Sequence, residues 1–351
     1  MAKKQSPDPI DIRNKGSFEE MLNPAPARHH SMQGFEERFT DIVDYIIRIT
    51  HQIWEQADMG YIYDTYSHNC TVHTAYGTSY GVEDVVSGSV AMLAGFPDRA
   101  MFPEDVIWRG DDASGFHTSH LIMNRATNTG FSAWGPPTMK PVKFFAVANC
   151  VSKENRIFEE WLVRDTAAIV RQLGFDIRDI ARRMPADTFI VGETERLKGQ
   201  LPPAPYEASH KGDPVEDNVR RHFHEVWNRR HFNKLTETHS PDAVMFVPNH
   251  IAIQGVKNIR TYIMGFIAMF PDATMSVEHV YWLGDAKNGY RAAVRWRFEG
   301  THANYGWYGQ PTRRRVSILG ISQLHIKNQK IDKHYMVFDD LAVHAQLLGE
   351  T

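Results

Sequence analysis

Between residues 35 and 57 the apolar positions Phe39, Ile42, Val43, Ile46, Ile49, Ile53 and Trp54 recur at helical spacing, which predicts a helix with one buried face. A polar patch follows, and residues 71–80 are rich in β-forming side chains. A second apolar helix is predicted over 82–96, stopping at Pro97-Asp98. Strand-like runs then lie near 101–109, 116–126, 141–151 and 156–164, before 167–173 turns helical again and Gly174 ends it. Helix, short strand, helix and several long strands predict an α+β domain, with helices gathered on one face of a mainly antiparallel sheet.

The whole pattern then starts again. An opening helix is predicted over 215–232, a second over 256–270, and strands near 275–283, 289–299, 313–326 and 330–338. Residues agree as well as elements: Phe96-Pro97-Asp98 returns as Phe270-Pro271-Asp272, Trp108 as Trp282, and Gly135-Pro136-Pro137-Thr138 as Gly309-Gln310-Pro311-Thr312, each 174 positions on. Upstream the offset is 173, pairing His51-Gln52-Ile53-Trp54 with His224-Glu225-Val226-Trp227, so one residue was gained or lost in between. A period this long marks two complete domains rather than a solenoid. We read 35–175 as domain 1 and 215–351 as domain 2, joined by a proline-rich linker over 176–214 that holds one helix near 176–184. Residues 1–34, polar and containing Pro7, Pro9, Pro24 and Pro26, read as an extended arm.

Composition changes this picture little. The chain is 42% hydrophobic and 23% charged with a net charge of −3, as expected of a globular protein. Basic residues are scattered except for Arg313-Arg314-Arg315, so no nucleic-acid partner is expected. No run approaches a membrane span, and the N-terminus lacks the apolar core of a secretory signal. Cys70 and Cys150 are too few for a disulfide framework, and cytoplasmic residence is the expectation. Among the 18 histidines, His68/His73 and His117/His120 lack the spacing and carboxylate company of a metal motif, and no glycine-rich phosphate loop is present. Neither a metal nor another cofactor is expected.

Domain order, the Pro-Thr turn before a long strand, and a close running Ile157, Glu160-Trp161, Asp165 and Arg171-Gln172-Leu173-Gly174 resemble the SnoaL-like polyketide cyclases of the nuclear-transport-factor-2-like superfamily. Gly300-Thr301-His302 in the second copy resembles the Gly-Thr-His that often precedes that turn. The resemblance implies a curved sheet wrapped on helices as a cone with an apolar pocket. It also implies cofactor-free chemistry on a hydrophobic, aromatic small molecule, of lyase, isomerase or cyclase type. Family aldol cyclases carry an Asp in the last strand and a His in the one before. Those positions are Leu162 and Ala148 in copy one, Met336 and Ser322 in copy two, so that mechanism does not transfer. A non-catalytic binding or assembly role with the same fold is the alternative. Relatives pair through the outer sheet face, where Trp161, Val163 and Tyr335 would lie, so the fused copies are expected to form an internal pseudo-dimer, with further self-association open.

Strand alternation then sorts the candidates. If Leu162 faces the pocket, Glu160 and Arg164 do too, and Trp161, Val163 and Asp165 face away. The equivalents in copy two are His334, Met336 and Phe338. Glu160 is read as a proton-transfer group or, equally, as a structural ion-pair partner; His334 as a second acid–base group or a packed core histidine. By resemblance, His73 occupies a pocket-histidine position near Tyr76 and Tyr80, where copy two has Phe246. His117 and His120 are oddly spaced, so only one can face inward. The catalytic candidates are therefore His73, Glu160, His117 and His120. The substrate-binding candidates are Tyr76, Tyr80, Leu162, Arg164, His334 and Met336. Copy one, with more titratable groups at these positions, is the expected reactive half. Asp165 and Asp339, at helix starts, read as caps, and the paired tryptophans as core.

Overall fold

The computed structural model describes residues 10–25, 27–184 and 213–350. A tight turn at Ile12–Asn14 leads into helix α1, Phe18–Leu22, and then into α2, Ile42–Thr50, which continues as a wider turn through His51–Glu55. After α3 (Ile62–Thr65) come the hairpin strands β1 (Tyr66–Thr74) and β2 (Gly77–Tyr80), then α4 (Val82–Gly95). Four long strands follow: β3 (Ala100–Asp111), β4 (Gly115–Thr127), β5 (Pro141–Lys153) and β6 (Arg156–Arg164). Helix α5 (Thr166–Leu173) closes the domain, stopped by Gly174 in a left-handed conformation (φ 87°), and α6 spans Ile177–Arg182.

The second half begins with α7 (Pro214–Phe223), continues through a wide turn at His224–Asn228 to α8 (Lys234–Thr238), and builds the hairpin β7 (His239–Val247) and β8 (Ile251–Gln254). Then come α9 (Val256–Met269), β9 (Thr274–Asp285), β10 (Gly289–Thr301), β11 (Arg315–Lys327), β12 (Lys330–Phe338) and α10 (Asp340–Leu348). Each domain is one six-stranded sheet, ordered β2-β1-β6-β5-β4-β3 and β8-β7-β12-β11-β10-β9. Only β1/β6 and β7/β12 pair parallel; the rest are antiparallel. This is the duplicated α+β architecture expected from the pattern, with the cone in each half that the resemblance implied. No helix among the described residues is long and apolar enough to cross a membrane.

Register locates the change of offset. His73 lies beside Trp161, and Phe246 beside Tyr335, so the copies still differ by 173 at these first positions. Across the hairpin His73 pairs with Thr78 and Phe246 with Ala252, an offset of 174. The additional residue therefore sits in the second hairpin turn, where Asn249 and His250 both take positive φ (67° and 56°).

Two expectations need correction. The arm is not extended over its described part: Ser17 and Glu20 form a reciprocal capping box that starts α1, and Ile12, Phe18, Met21 and Leu22 pack on the core beside α2. The polar patch after the first helix hides α3 and the start of β1, whose Tyr66 and Cys70 point inward while His68 and Asn69 point out. The linker helix forms as α6, capped by Asp176; the linker's remainder to 212 and the arm's first nine residues lie outside the described residues.

The two sheets pack outer face to outer face. Leu121, Phe145, Val147 and Val163 of domain 1 meet Leu319, Ile321, Tyr335 and Val337 of domain 2 in one apolar cluster. The helix caps reach across this junction. Asp165 accepts the Ala168 N–H of its own helix (3.2 Å) and the Asn249 and His250 N–H groups of the second hairpin turn (2.9 Å each). Asp339 caps α10 and accepts the Thr166 hydroxyl (2.5 Å). Burial pushes the Asp165 carboxyl up to about 7 and that of Asp339 up to about 6. A buried polar clamp, in which Arg291 meets Asp11 of the arm and Asp105 of domain 1, joins all three segments.

Candidate active site

Three rungs of inward side chains cross the middle of the domain 1 sheet. Register sets Thr118, Cys150 and Glu160 side by side on β4, β5 and β6, then His120, Ala148 and Leu162, then Ile122, Ala146 and Arg164. The period-two alternation of each strand gives all nine the same face. Small side chains at 146 and 148 leave space between this face and the helices, a cavity of about 240 Å³ that reaches Trp54, Tyr66 and Arg99. The exposed Asp84 and Gly88 of α4 stand at its rim.

The polar groups are few; Glu160, His120, Tyr66 and Cys150 are buried, and Arg99 and Arg164 are half-buried. Glu160 is 5% exposed and accepts the Tyr66 hydroxyl at 2.9 Å. Burial raises its carboxyl above the usual range, against the pull of that hydrogen bond and of Arg164. Burial, reinforced by Glu160, also drives up the Tyr66 phenol and the Cys150 thiol. His120 is 2% exposed, and neither of its ring nitrogens has a partner among the described residues. Its imidazole is pushed down to about 3 by burial, so at neutral pH it is uncharged, one ring nitrogen carrying a proton and the other an open lone pair. Arg164 is lowered by burial, and Arg99, which also feels the Arg164 charge, falls to about 9. Arg99 donates from Nε and Nη2 to Asn124 Oδ1 (2.9 and 2.8 Å).

Of the residues singled out from sequence, Glu160, His120, Leu162 and Arg164 line this cavity together. His73 does not. It shares the outer face with Trp161, stacks on that indole at 5.0 Å, and is held by Thr78 Oγ1 and Glu159 Oε1 at 3.1 Å each. His117, three residues from His120, necessarily points to the other side, where its ring meets His279 of domain 2 at 5.1 Å. Tyr76 sits in the first hairpin turn against Asp339 and Thr166, and Tyr80 is 74% exposed. His334 and Met336 are buried in domain 2. Sequence reasoning missed Tyr66, Arg99 and Cys150; Trp54, read as core, does pack on the core and also reaches the cavity. The signal for Arg99 was present, since its counterpart 174 positions on is Ala273. Among the described residues no group of three or more His, Cys, Asp or Glu could hold a metal, and both cysteines are free and buried.

Domain 2 fills the same space. Ile122 is replaced by Trp296, Met92 by Phe266, Arg164 by Phe338 and Gly88 by Tyr262. Trp296 lies over Gly320, where a Cβ would come within 2.1 Å of the indole, and its N–H donates to Ser322 Oγ at 3.0 Å. The same hydroxyl bonds His334 Nε2 at 2.9 Å, and burial pushes that imidazole down to about 3. Tyr262, at the position of the rim residue Gly88, is stacked under Trp307 at 4.8 Å. Large aromatic side chains thus occupy in one copy what is open in the other.

The pattern of SnoaL-like polyketide cyclases matches residues 44–173 and again 217–347. Solved structures resemble one half at a time. A putative SnoaL-like polyketide cyclase from Jannaschia sp. CCS1 is 18% identical, covering 40% of this chain and 99% of its own (TM-score 0.36). IdmH, a putative polyketide cyclase from Streptomyces antibioticus, is 22% identical over 38% and 99% (TM-score 0.34). A protein with a ketosteroid isomerase-like fold from Catenulispora acidiphila, in complex with trimethylamine, is 13% identical over 37% and 92% (TM-score 0.32). No curated protein matches the chain.

Proposed function

The chain belongs to the SnoaL-like polyketide cyclase family, whose domain it carries twice, and from that premise we propose that domain 1 is a cofactor-independent acid–base enzyme for a hydrophobic, aromatic small molecule. The observation that carries this reading is the company of Glu160 in the open cone: a buried carboxyl with raised proton affinity, on a Tyr66 hydroxyl, in a cavity that an uncharged and unpartnered His120 also lines. A carboxyl whose proton affinity burial has raised can both take and return a proton, as general acid–base catalysis requires. As carboxylate, Glu160 takes a proton from a carbon next to the substrate carbonyl. The His120 N–H then donates to the oxygen on which charge develops. Return of the proton to another carbon gives isomerisation, loss of a leaving group gives elimination, and attack of the enolate carbon on a second carbonyl gives cyclisation.

The acid–base pair differs in place from that of the aldol cyclases it resembles. Leu162 and Ala148 occupy those positions, but Glu160 stands two residues from Leu162 on the same face, and His120 lies directly across from Ala148. The same two apolar residues favour the rival reading, a binding role without turnover. Deuterium exchange at the α-carbon of β-tetralone in D2O, followed by NMR on the full-length protein, separates the two. Turnover predicts exchange above the buffer rate, falling by roughly 10²–10⁴-fold in Glu160→Gln. Ketone bound without exchange, or exchange indifferent to Glu160→Gln, refutes the catalytic role.

A further inference from the structure

Two guanidinium groups share the end of the domain 1 cavity away from Glu160. Arg164 faces inward from β6 as Glu160 does, but four residues on, so the two Cα atoms lie about 13 Å apart with Leu162 between them. Arg99, from the turn before β3, lines the same end close enough for the two positive charges to oppose each other. Neither arginine has a described carboxylate within the 4.0 Å of an ion pair. Asp339 and Glu160 act on Arg164, and Glu55 on Arg99, only from farther away. Arg164 Nε is buried without a hydrogen-bond partner. Its counterpart in the filled cone is Phe338, and that of Arg99 is Ala273, so the scaffold does not need either charge.

A half-buried cation without a counter-ion in contact weighs against folding, though less than a fully buried one. Two of them, kept only in the copy whose cone is open, call for an anion that arrives from outside. We propose that the ligand of the domain 1 cavity is an aromatic carboxylate, its carboxylate held between Arg99 and Arg164 and its reacting carbon directed at Glu160. The planar guanidinium fork matches a carboxylate with parallel N–H bonds, and the drier the site the stronger these become. Ile122, Ala146 and Leu162 provide the apolar stretch for the rings between the two polar ends. Asp84 at the rim is exposed, so water and salt screen its repulsion of an incoming anion. The assignment rests on the reading of this cavity as the reactive site.

Calorimetric titration of the full-length protein with naphthoate and with the uncharged isostere naphthamide tests it. Naphthoate is expected to bind at least about tenfold more tightly, and to lose about tenfold or more in Arg99→Met and in Arg164→Met, with naphthamide little changed. Arg164→Met should also raise the melting temperature of the free protein, because it removes an uncompensated charge; a structural arginine would lower it. Equal binding of the two probes, or a preference that survives in the Arg99→Met/Arg164→Met double variant, overturns the carboxylate assignment. Preferred naphthoate binding together with β-tetralone exchange indifferent to Glu160→Gln leaves the anion site standing and removes the catalytic reading. Equal binding with Glu160-dependent exchange does the reverse; binding of neither probe overturns the carboxylate assignment, and the catalytic reading then stands or falls with the β-tetralone exchange alone.

Discussion

Domain 2 supplies a design for closing domain 1. Ile122→Trp places an indole where Trp296 lies, Ala146→Gly removes the Cβ that would clash with it as at Gly320, and Ala148→Ser restores the acceptor that Ser322 offers. The wider side chain adds on the order of 60 Å² of buried apolar surface, about 1.5 kcal/mol at 25 cal/mol per Å². Glycine inside a strand costs about 0.5–1 kcal/mol. An indole N–H buried without an acceptor would cost about 1–3 kcal/mol more. The triple variant should therefore be as stable as the parent or better by up to about 1 kcal/mol, and the variant lacking Ala148→Ser less stable by about 1 kcal/mol or more. In calorimetry that separates their melting temperatures by roughly 2–4 °C per kcal/mol. A ligand must then expel a packed indole, at about 3–5 kcal/mol, which weakens naphthoate binding roughly a hundredfold to several thousandfold. A triple variant with parental stability and parental naphthoate affinity would refute the assignment of this cavity as the ligand site.

Two further outcomes follow from buried carboxylates. Because the folded-state Glu160 carboxyl lies above its ordinary value of 4.5, its stabilising share is complete below about pH 4.5 and is lost as pH rises through the folded value. Glu160→Gln, which keeps an acceptor for Tyr66, should match the parent in urea midpoint near pH 4 and exceed it near pH 8; the opposite trend would show that the carboxyl is lowered, not raised. Asp165→Asn loses an acceptor for at least one of three backbone N–H groups, so the domain junction should weaken by about 1–3 kcal/mol. An unchanged melting temperature would mean that the bonds from Asn249 and His250 contribute nothing to the junction.

Part of the site was legible before any fold was known. Glu160, Leu162 and Arg164 share a face because strand alternation is local, and the odd spacing of His117 and His120 had to divide them. His73 went the other way for a reason no local pattern contains. Its orientation depends on which strand β1 joins and in what register, and parallel pairing with β6 sets it beside Trp161, eighty-eight positions along the chain. Arg99 sits in a turn, where no periodicity assigns a direction, and only its loss in the second copy marked it.

The sequence by itself determined the duplication, the order of elements and the inward or outward sense of long strands, since each follows from spacing within one segment. Only tertiary structure decided that one cone is open and the other filled. That difference is a sum of side-chain volumes brought together from separate elements. Gly88, Ile122 and Ala146 leave room in domain 1, while Tyr262 and Trp296 over Gly320 take it in domain 2. Packing also decided the charge balance: among the described residues no carboxylate forms an ion pair with either cavity arginine, and Asp339 and Glu160, which act on Arg164 from farther away, are bound to a helix cap and to Tyr66.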